Sequence, residues 1–180
     1  TRKINNGRLN ASFFYYNIDN YILFNNLRGV YYQTDAKIYG AELSTVKNFF
    51  NNLNANFSTT ILRAFDKLSK LPTKELEYRP KYQMNLCLTY TPDFIKIVWN
   101  NKYVSKQTAY NYRKENFNNP AAQITKLDDY YVSDIKLQKD FNAYHSLYLY
   151  VQNIFNKNYF DMLYMPAQGR TFNIGYSAKF

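Results

Sequence analysis

Glycine and proline are scarce, five of each in 180 residues, and there is one cysteine, Cys87, and one histidine, His145. A lone cysteine excludes an intrachain disulfide, and one cysteine with one histidine supplies no ligand set for a structural zinc. No apolar run approaches the roughly 18 residues of a membrane-spanning helix. The N-terminus also lacks the charged-then-apolar stretch of an export signal, so Thr1 is not expected to be the natural start of an exported protein. Gly-x-Ser-x-Gly, His-Glu-x-x-His and a glycine loop able to cradle phosphate are all missing. The chain therefore does not read as an enzyme, and no cofactor or metal is expected. The net charge of +10 is dispersed over residues such as Lys47, Arg63, Lys81, Lys96, Lys136 and Lys179. Without a basic run or a recognisable motif it argues against nucleic acid as a partner. Scattered cations suit loops, turns, a lumen and the phosphates of lipopolysaccharide.

What the chain does have is aromatic side chains, 20 Tyr and 14 Phe, an excess over what one small core needs. Rings with an apolar body and a polar edge collect at membrane interfaces, and a β-barrel with two aromatic girdles accommodates them. The mean hydropathy of -0.55 fits such a barrel, because alternate residues face a polar lumen. The last eleven residues make the pattern explicit. Phe172, Ile174, Tyr176, Ala178 and Phe180 fall on one face, and Thr171, Asn173, Gly175, Ser177 and Lys179 fall on the other. That is a strand with a lipid side and a water side, ending on an aromatic residue as the final strand of an outer-membrane barrel does.

The same period predicts about eight strands, over residues 8–17, 30–49, 55–64, 82–90, 94–103 with an extension towards 110, 130–139, 147–155 and 170–180. Cys87 shares a face with Gln83, Asn85 and Thr89 and reads as a small lumen residue. Turns near Asn51, Pro92 and Asn142 are short, whereas connections near Asn26, Leu71, Asn118 and Met162 are long. Short periplasmic turns and long extracellular loops are the habit of bacterial outer-membrane barrels. The fold class expected is all-β, an antiparallel transmembrane β-barrel.

Several segments resemble one family, the TonB-dependent outer-membrane receptors. Gly7-Arg-Leu-Asn-Ala-Ser-Phe-Phe-Tyr-Tyr16 with Asn20-Tyr-Ile22 resembles a barrel strand leading to an outer loop, and Ala36-Lys-Ile-Tyr-Gly-Ala-Glu-Leu43 resembles its Gly-x-Glu strand. Val151-Gln-Asn-Ile-Phe-Asn-Lys-Asn-Tyr159 is similar to the end of the penultimate strand, and Pro166 with Gly169-Arg-Thr-Phe172 to the approach to the last. The resemblance covers essentially the whole chain. It implies that residues 1–180 are about the last eight strands of a barrel of about 22, with the plug domain and earlier strands absent. As an isolated piece such a segment is expected to be an open, curved sheet.

The resemblance further implies active import of a scarce nutrient across the outer membrane of a Gram-negative bacterium. A ferric siderophore is favoured, with haem or cobalamin as other possibilities, and TonB supplies energy through the missing N-terminal part. Candidate ligand-binding residues in outer loops are Arg28, Tyr31, Tyr32, Tyr112, Arg113 and Lys114, whose rings and cations suit a metal chelate. Gly175, Tyr176, Ala178 and Phe180 resemble the signal read by the barrel-assembly machinery, which fits recognition by strand addition. Glu42, beside Gly40, reads as a lumen carboxylate facing the plug or a neighbouring lysine. His145 falls in a periplasmic turn and receives no catalytic role. A complete small eight-stranded barrel with a structural or adhesive role is the alternative, since eight strands can also close.

Overall fold

The computed structural model describes residues 1–25, 30–70, 73–111 and 124–179, without the side chains of Lys3, Ile4 and Asn25. The described residues contain no helix. Nine antiparallel strands form the main sheet: β1 (Arg2–Ile4), β2 (Gly7–Asn25), β3 (Val30–Phe49), β4 (Leu53–Asp66), β5 (Tyr82–Tyr90), β6 (Lys96–Val104), β9 (Tyr130–Asp140), β10 (His145–Gln152) and β13 (Thr171–Ala178), each beside its predecessor in this order. Two hairpins stand apart from it. One pairs β7 (Gln107–Tyr110) with β8 (Ile124–Leu127), and the other pairs β11 (Phe160–Met162) with β12 (Met165–Pro166).

The eight expected strands are all present, with β1 added and some bounds moved. The strand read as 94–103 with an extension towards 110 stops at Val104, and residues 107–110 belong to the separate hairpin. β2 runs on past Asn17 to Asn25 because a bulge between Ile18 and Tyr21, with Asn20 at φ 56°, absorbs the break in alternation and pairing with β3 resumes at Tyr21. β10 ends at Gln152, where Asn153 turns the chain at φ 48°.

Register carries the alternation across the sheet. An apolar row runs Phe172↔Val151 and Ile174↔Leu149, Leu149↔Leu137, Leu137↔Ile97, Ile97↔Tyr90 and Phe57↔Leu86, and reaches Ala41↔Ile61 and Phe13↔Ala41. Phe13 is 85% exposed and Ile174 76%. An apolar face spanning eight strands exceeds what a water-soluble monomer exposes, so its natural medium is hydrocarbon. The opposite face is polar. Asn56, Ser58, Asn85, Cys87, Asn100, Lys102 and Asp134 line a concavity of about 410 Å³ there, together with Tyr159 from the last long connection.

Among the polar side chains on the apolar face, Asn101 and Ser133 are buried. Trp99 Nε1 donates to Ser133 Oγ at 2.7 Å, Ser133 donates to Asn101 Oδ1 at 3.1 Å, and Tyr131 donates to the same oxygen. Asn101 Nδ2 donates to the Leu86 carbonyl at 3.4 Å. Internal satisfaction is what hydrocarbon demands of a polar group.

At one end the strands are joined by tight turns at residues 5–6, 50–52, 91–95 and 141–144, and Lys179 N bonds to Tyr144 O at 2.9 Å. The long connections all leave the other end. β5 and β6 have nine residues each, enough to cross a bilayer when tilted, whereas β3 has 20. β2 and β3 therefore continue well past the membrane on the long-loop side. The sheet does not close, with β1 at one edge and β13 at the other.

Candidate functional site

Before the first residues of β5, the chain between β4 and β5 folds back along the end of β4 on the long-loop side. Asp66 N bonds to Lys74 O at 2.7 Å, and Leu76 N bonds to Ala64 O at 3.0 Å. Leu76 is thereby driven into a small buried cluster with Ala36 and Ala64, packed by Ile18, Tyr21, Leu23 and Ile38. Small residues at 36 and 64 leave the space that Leu76 fills.

Glu75 is the hub that ties this segment to the β7–β8 hairpin. Its carboxylate meets Lys81 at 2.7 Å and Lys126 at 2.8 Å and accepts a hydrogen bond from Thr108 Oγ1 at 2.5 Å. Lys126 also reaches Thr108 Oγ1 at 2.7 Å. The Tyr110 hydroxyl donates to Glu75 O at 2.6 Å, and Tyr78 N donates to Thr108 O at 2.9 Å. Partial burial would raise the Glu75 carboxyl, but the bonds from Lys126, Lys81 and Thr108 outweigh it and bring the pKa from 4.5 down to about 2. The Tyr110 phenol is pushed up by burial and then by Glu77 and other nearby charges, so it stays a neutral donor. A depressed carboxyl stabilises above its ordinary pKa and loses that contribution as protons bind. The loop assembly should hold above pH 4.5 and loosen as pH falls from there towards 2. Hydrogen exchange of residues 73–81 and 107–110 reads this directly, and Glu75→Gln should abolish the acid dependence.

The β11–β12 hairpin docks alongside. Gln107 Nε2 donates to Asp161 O at 3.2 Å, the Tyr130 hydroxyl donates to the Asp161 carboxylate, and the Tyr130 and Tyr159 rings stack at 4.2 Å. Asn111 Nδ2 donates to the Tyr164 hydroxyl at 2.8 Å. The three long connections thus form one rimmed mouth above the polar face. A cleft of about 250 Å³ in it is lined by Tyr32, Thr34, Asp66, Leu68, Ser69 and Tyr110. Asp66 accepts from the Thr34 hydroxyl and from Leu68 N and Ser69 N, both at 2.9 Å, so its carboxylate holds the cleft's shape.

Of the ligand-binding residues expected from sequence, Tyr32 lines this cleft. Tyr31 points to the opposite side of β3, 75% exposed, with its ring 4.9 Å from that of Phe24. Arg28, Tyr112, Arg113, Lys114 and Phe180 lie outside the described residues. Glu42 is exposed on the polar face, in register with Ser12 and Thr60. Tyr176 and Ala178 are on the apolar face of β13 and Gly175 on the polar one, while His145 opens β10 with Nδ1 2.6 Å from the Tyr176 hydroxyl. Asp66, Glu75, Thr108 and Lys126 were not singled out from sequence. Nothing local marks them, although Glu75 sits in a charged loop whose partners are far away in the chain.

The polar face, the open antiparallel sheet and the one-sided long connections have a match among protein families. Residues 2–154 fit the model of the TonB dependent receptor-like β-barrel. The chain belongs to that family. Solved receptors agree in fold. The ferric-catecholate import receptor Fiu from E. coli K12, in its closed form, is 24% identical over 97% of this chain and 25% of its own, with a TM-score of 0.77. The FrpB iron transporter from Neisseria meningitidis is 20% identical over 99% of this chain and 30% of its own, at 0.74. The copper transporter OprC is 16% identical over 99% and 30%, at 0.76. The chain thus spans between 25% and 30% of these structures. No curated protein matches it by sequence. In this family setting the apolar face of the sheet is the lipid side and the polar face the lumen.

Proposed function

We propose that residues 1–180 are the C-terminal part of the barrel wall of an outer-membrane import receptor in a Gram-negative bacterium. A plug domain and earlier strands precede them in a barrel of about 22 strands. The observation that carries this reading is the rimmed mouth, in which Glu75, Thr108 and Lys126 fasten two outer connections together above a polar lumen wall. A mouth built to hold shape over a hydrated channel suits capture followed by passage. The import receptors similar in fold include ones named for a ferric catecholate, for iron and for copper. A ferric siderophore is the substrate proposed here, held by loop aromatics and cations among which Tyr32 lines the described cleft; Arg28, Tyr112, Arg113 and Lys114 complete the proposed set, whereas Tyr31 faces the other side of β3. Energy would come from TonB acting on the N-terminal part. The barrel-assembly machinery would read the terminal strand, and lipopolysaccharide would surround the outer half.

The test is uptake of radiolabelled iron, supplied as a ferric catecholate to iron-starved cells, with and without the full-length gene. Expected is loss of uptake on deletion and its return on complementation, and Glu75→Ala should weaken it by loosening the mouth. Unchanged uptake of ferric catecholate and ferric hydroxamate in the deletion strain would refute the iron reading.

A further inference from the structure

Register is the weak point of a strand whose faces merely alternate. A slip of one residue would turn every side chain of β13 to the wrong medium, but a slip of two keeps lipid-facing residues on lipid and polar ones on the lumen. The lipid-side pairs Phe172↔Val151, Ile174↔Leu149 and Tyr176↔Leu147 discriminate poorly between such registers, since all are apolar. Something else must select the native one.

On the lumen side Tyr148 stands directly opposite Gly175. A Cβ placed on Gly175 would lie 2.3 Å from two Tyr148 ring atoms and 2.5 Å from its hydroxyl, so the ring rests on the glycine backbone itself. From the neighbouring strand on the other side, Lys136 Nζ sits 4.6 Å from the centre of the same ring. One side chain on β10 therefore touches both β9 and β13. Gly175 is the only glycine in β13. A two-residue slip would place Asn173 or Ser177 opposite Tyr148, and both carry the side chain that the flat ring excludes. On the lipid side, a slip in one direction would also carry Tyr176 away from its 2.6 Å contact with His145.

We infer that Tyr148 and Gly175 form a ring-on-glycine socket that selects the register of the terminal strand, with Tyr148 as the positioning residue. The inference concerns how the wall is assembled and stands whichever ligand the receptor imports.

The test uses the full-length receptor in outer membranes, in a Cys87→Ser background, with pairs of introduced cysteines. Ser146→Cys with Ser177→Cys reports the native register; Ser146→Cys with Lys179→Cys and Tyr150→Cys with Thr171→Cys report the two slipped ones. Expected is an in-register crosslink falling about fivefold in Tyr148→Ala relative to the slipped ones, the scale of losing one cross-strand side-chain pair. Tyr148→Phe should behave as the parent, and the exchange Tyr148→Gly with Gly175→Tyr should recover part of the native crosslink. Undiminished native crosslinking in both Tyr148→Ala and Gly175→Ala would overturn the socket. If Tyr148→Ala fails to assemble, Tyr150→Ala decides, being the next lumen-facing ring on the same strand. Its normal assembly supports the socket, and an equal failure would show only a general need for aromatic area and defeat it.

Discussion

Leu149→Arg in the full-length receptor is expected to stop the barrel from assembling, whereas Asn173→Arg, one strand away, should be tolerated. Leu149 lies mid-strand in β10, in register with Leu137 on one side and Ile174 on the other, so it sits deep in the lipid face. A guanidinium near the bilayer midplane on that face costs about 2–4 kcal/mol. Net stabilities of folded domains are only about 5–15 kcal/mol, so this is a large share of what is available. Asn173 alternates onto the lumen side beside Tyr150, where water solvates an added charge. Heat-dependent mobility of the receptor on denaturing gels, with a urea titration in detergent or lipid, separates the two. Equal loss in both variants would mean that the faces are misassigned.

Gly40→Ala should be nearly as damaging, for a different reason. A Cβ there would fall 2.2 Å from the Ile61 carbonyl oxygen and 2.7 Å from Phe14 Cζ. The ring could turn aside, but the carbonyl belongs to β4, and moving it breaks the β3–β4 ladder at Gly40↔Leu62. Forcing atoms into so tight a space costs about 1–3 kcal/mol and more where backbone must shift. Gly175→Ala displaces the Tyr148 ring and no backbone atom, so it loses the contact between ring and glycine but should cost less stability than Gly40→Ala. Urea midpoints of the two variants check the order. If Gly40→Ala proves the milder one, the close approach of β3 and β4 at this point is wrong.

Gly40 also shows how far the sequence could be read. Its place in a Gly-x-Glu strand was recognisable by resemblance, but its reason, a carbonyl from the next strand at contact distance, needs the register of both strands. The faces of the eight long strands were legible because a period of two leaves no ambiguity once a strand is longer than a few residues. β1, with three residues, is too short to display that period. β7 was read as a continuation of the strand at 94–103, and β8 and the β11–β12 hairpin as loop, because short pairings far from the membrane carry no lipid-facing row. Asn101 and Ser133 were illegible for another reason. Each looks like a defect on the lipid face until Trp99, Tyr131 and the Leu86 carbonyl come into hydrogen-bonding distance. The mouth was hardest, because Glu75 meets Lys126 across 51 residues of chain and only the folded connections above the sheet bring them together. The bulge at Asn20 is a smaller instance. It lets β2 keep pairing with β3 as far as Asn25, beyond Asn17, where the regular period had ended.

The central claim, a wall with lipid on one side and a water-filled lumen on the other, is tested most directly by labelling single cysteines along β10 and β13 of the full-length receptor in native outer membranes, in a Cys87→Ser background. A charged maleimide that cannot enter lipid should modify cysteines at positions 146, 150, 152, 173 and 177 and leave those at 147, 149, 151, 172 and 174 unmodified. Equal modification of both sets would contradict the claim and return the chain to the class of water-soluble sheets.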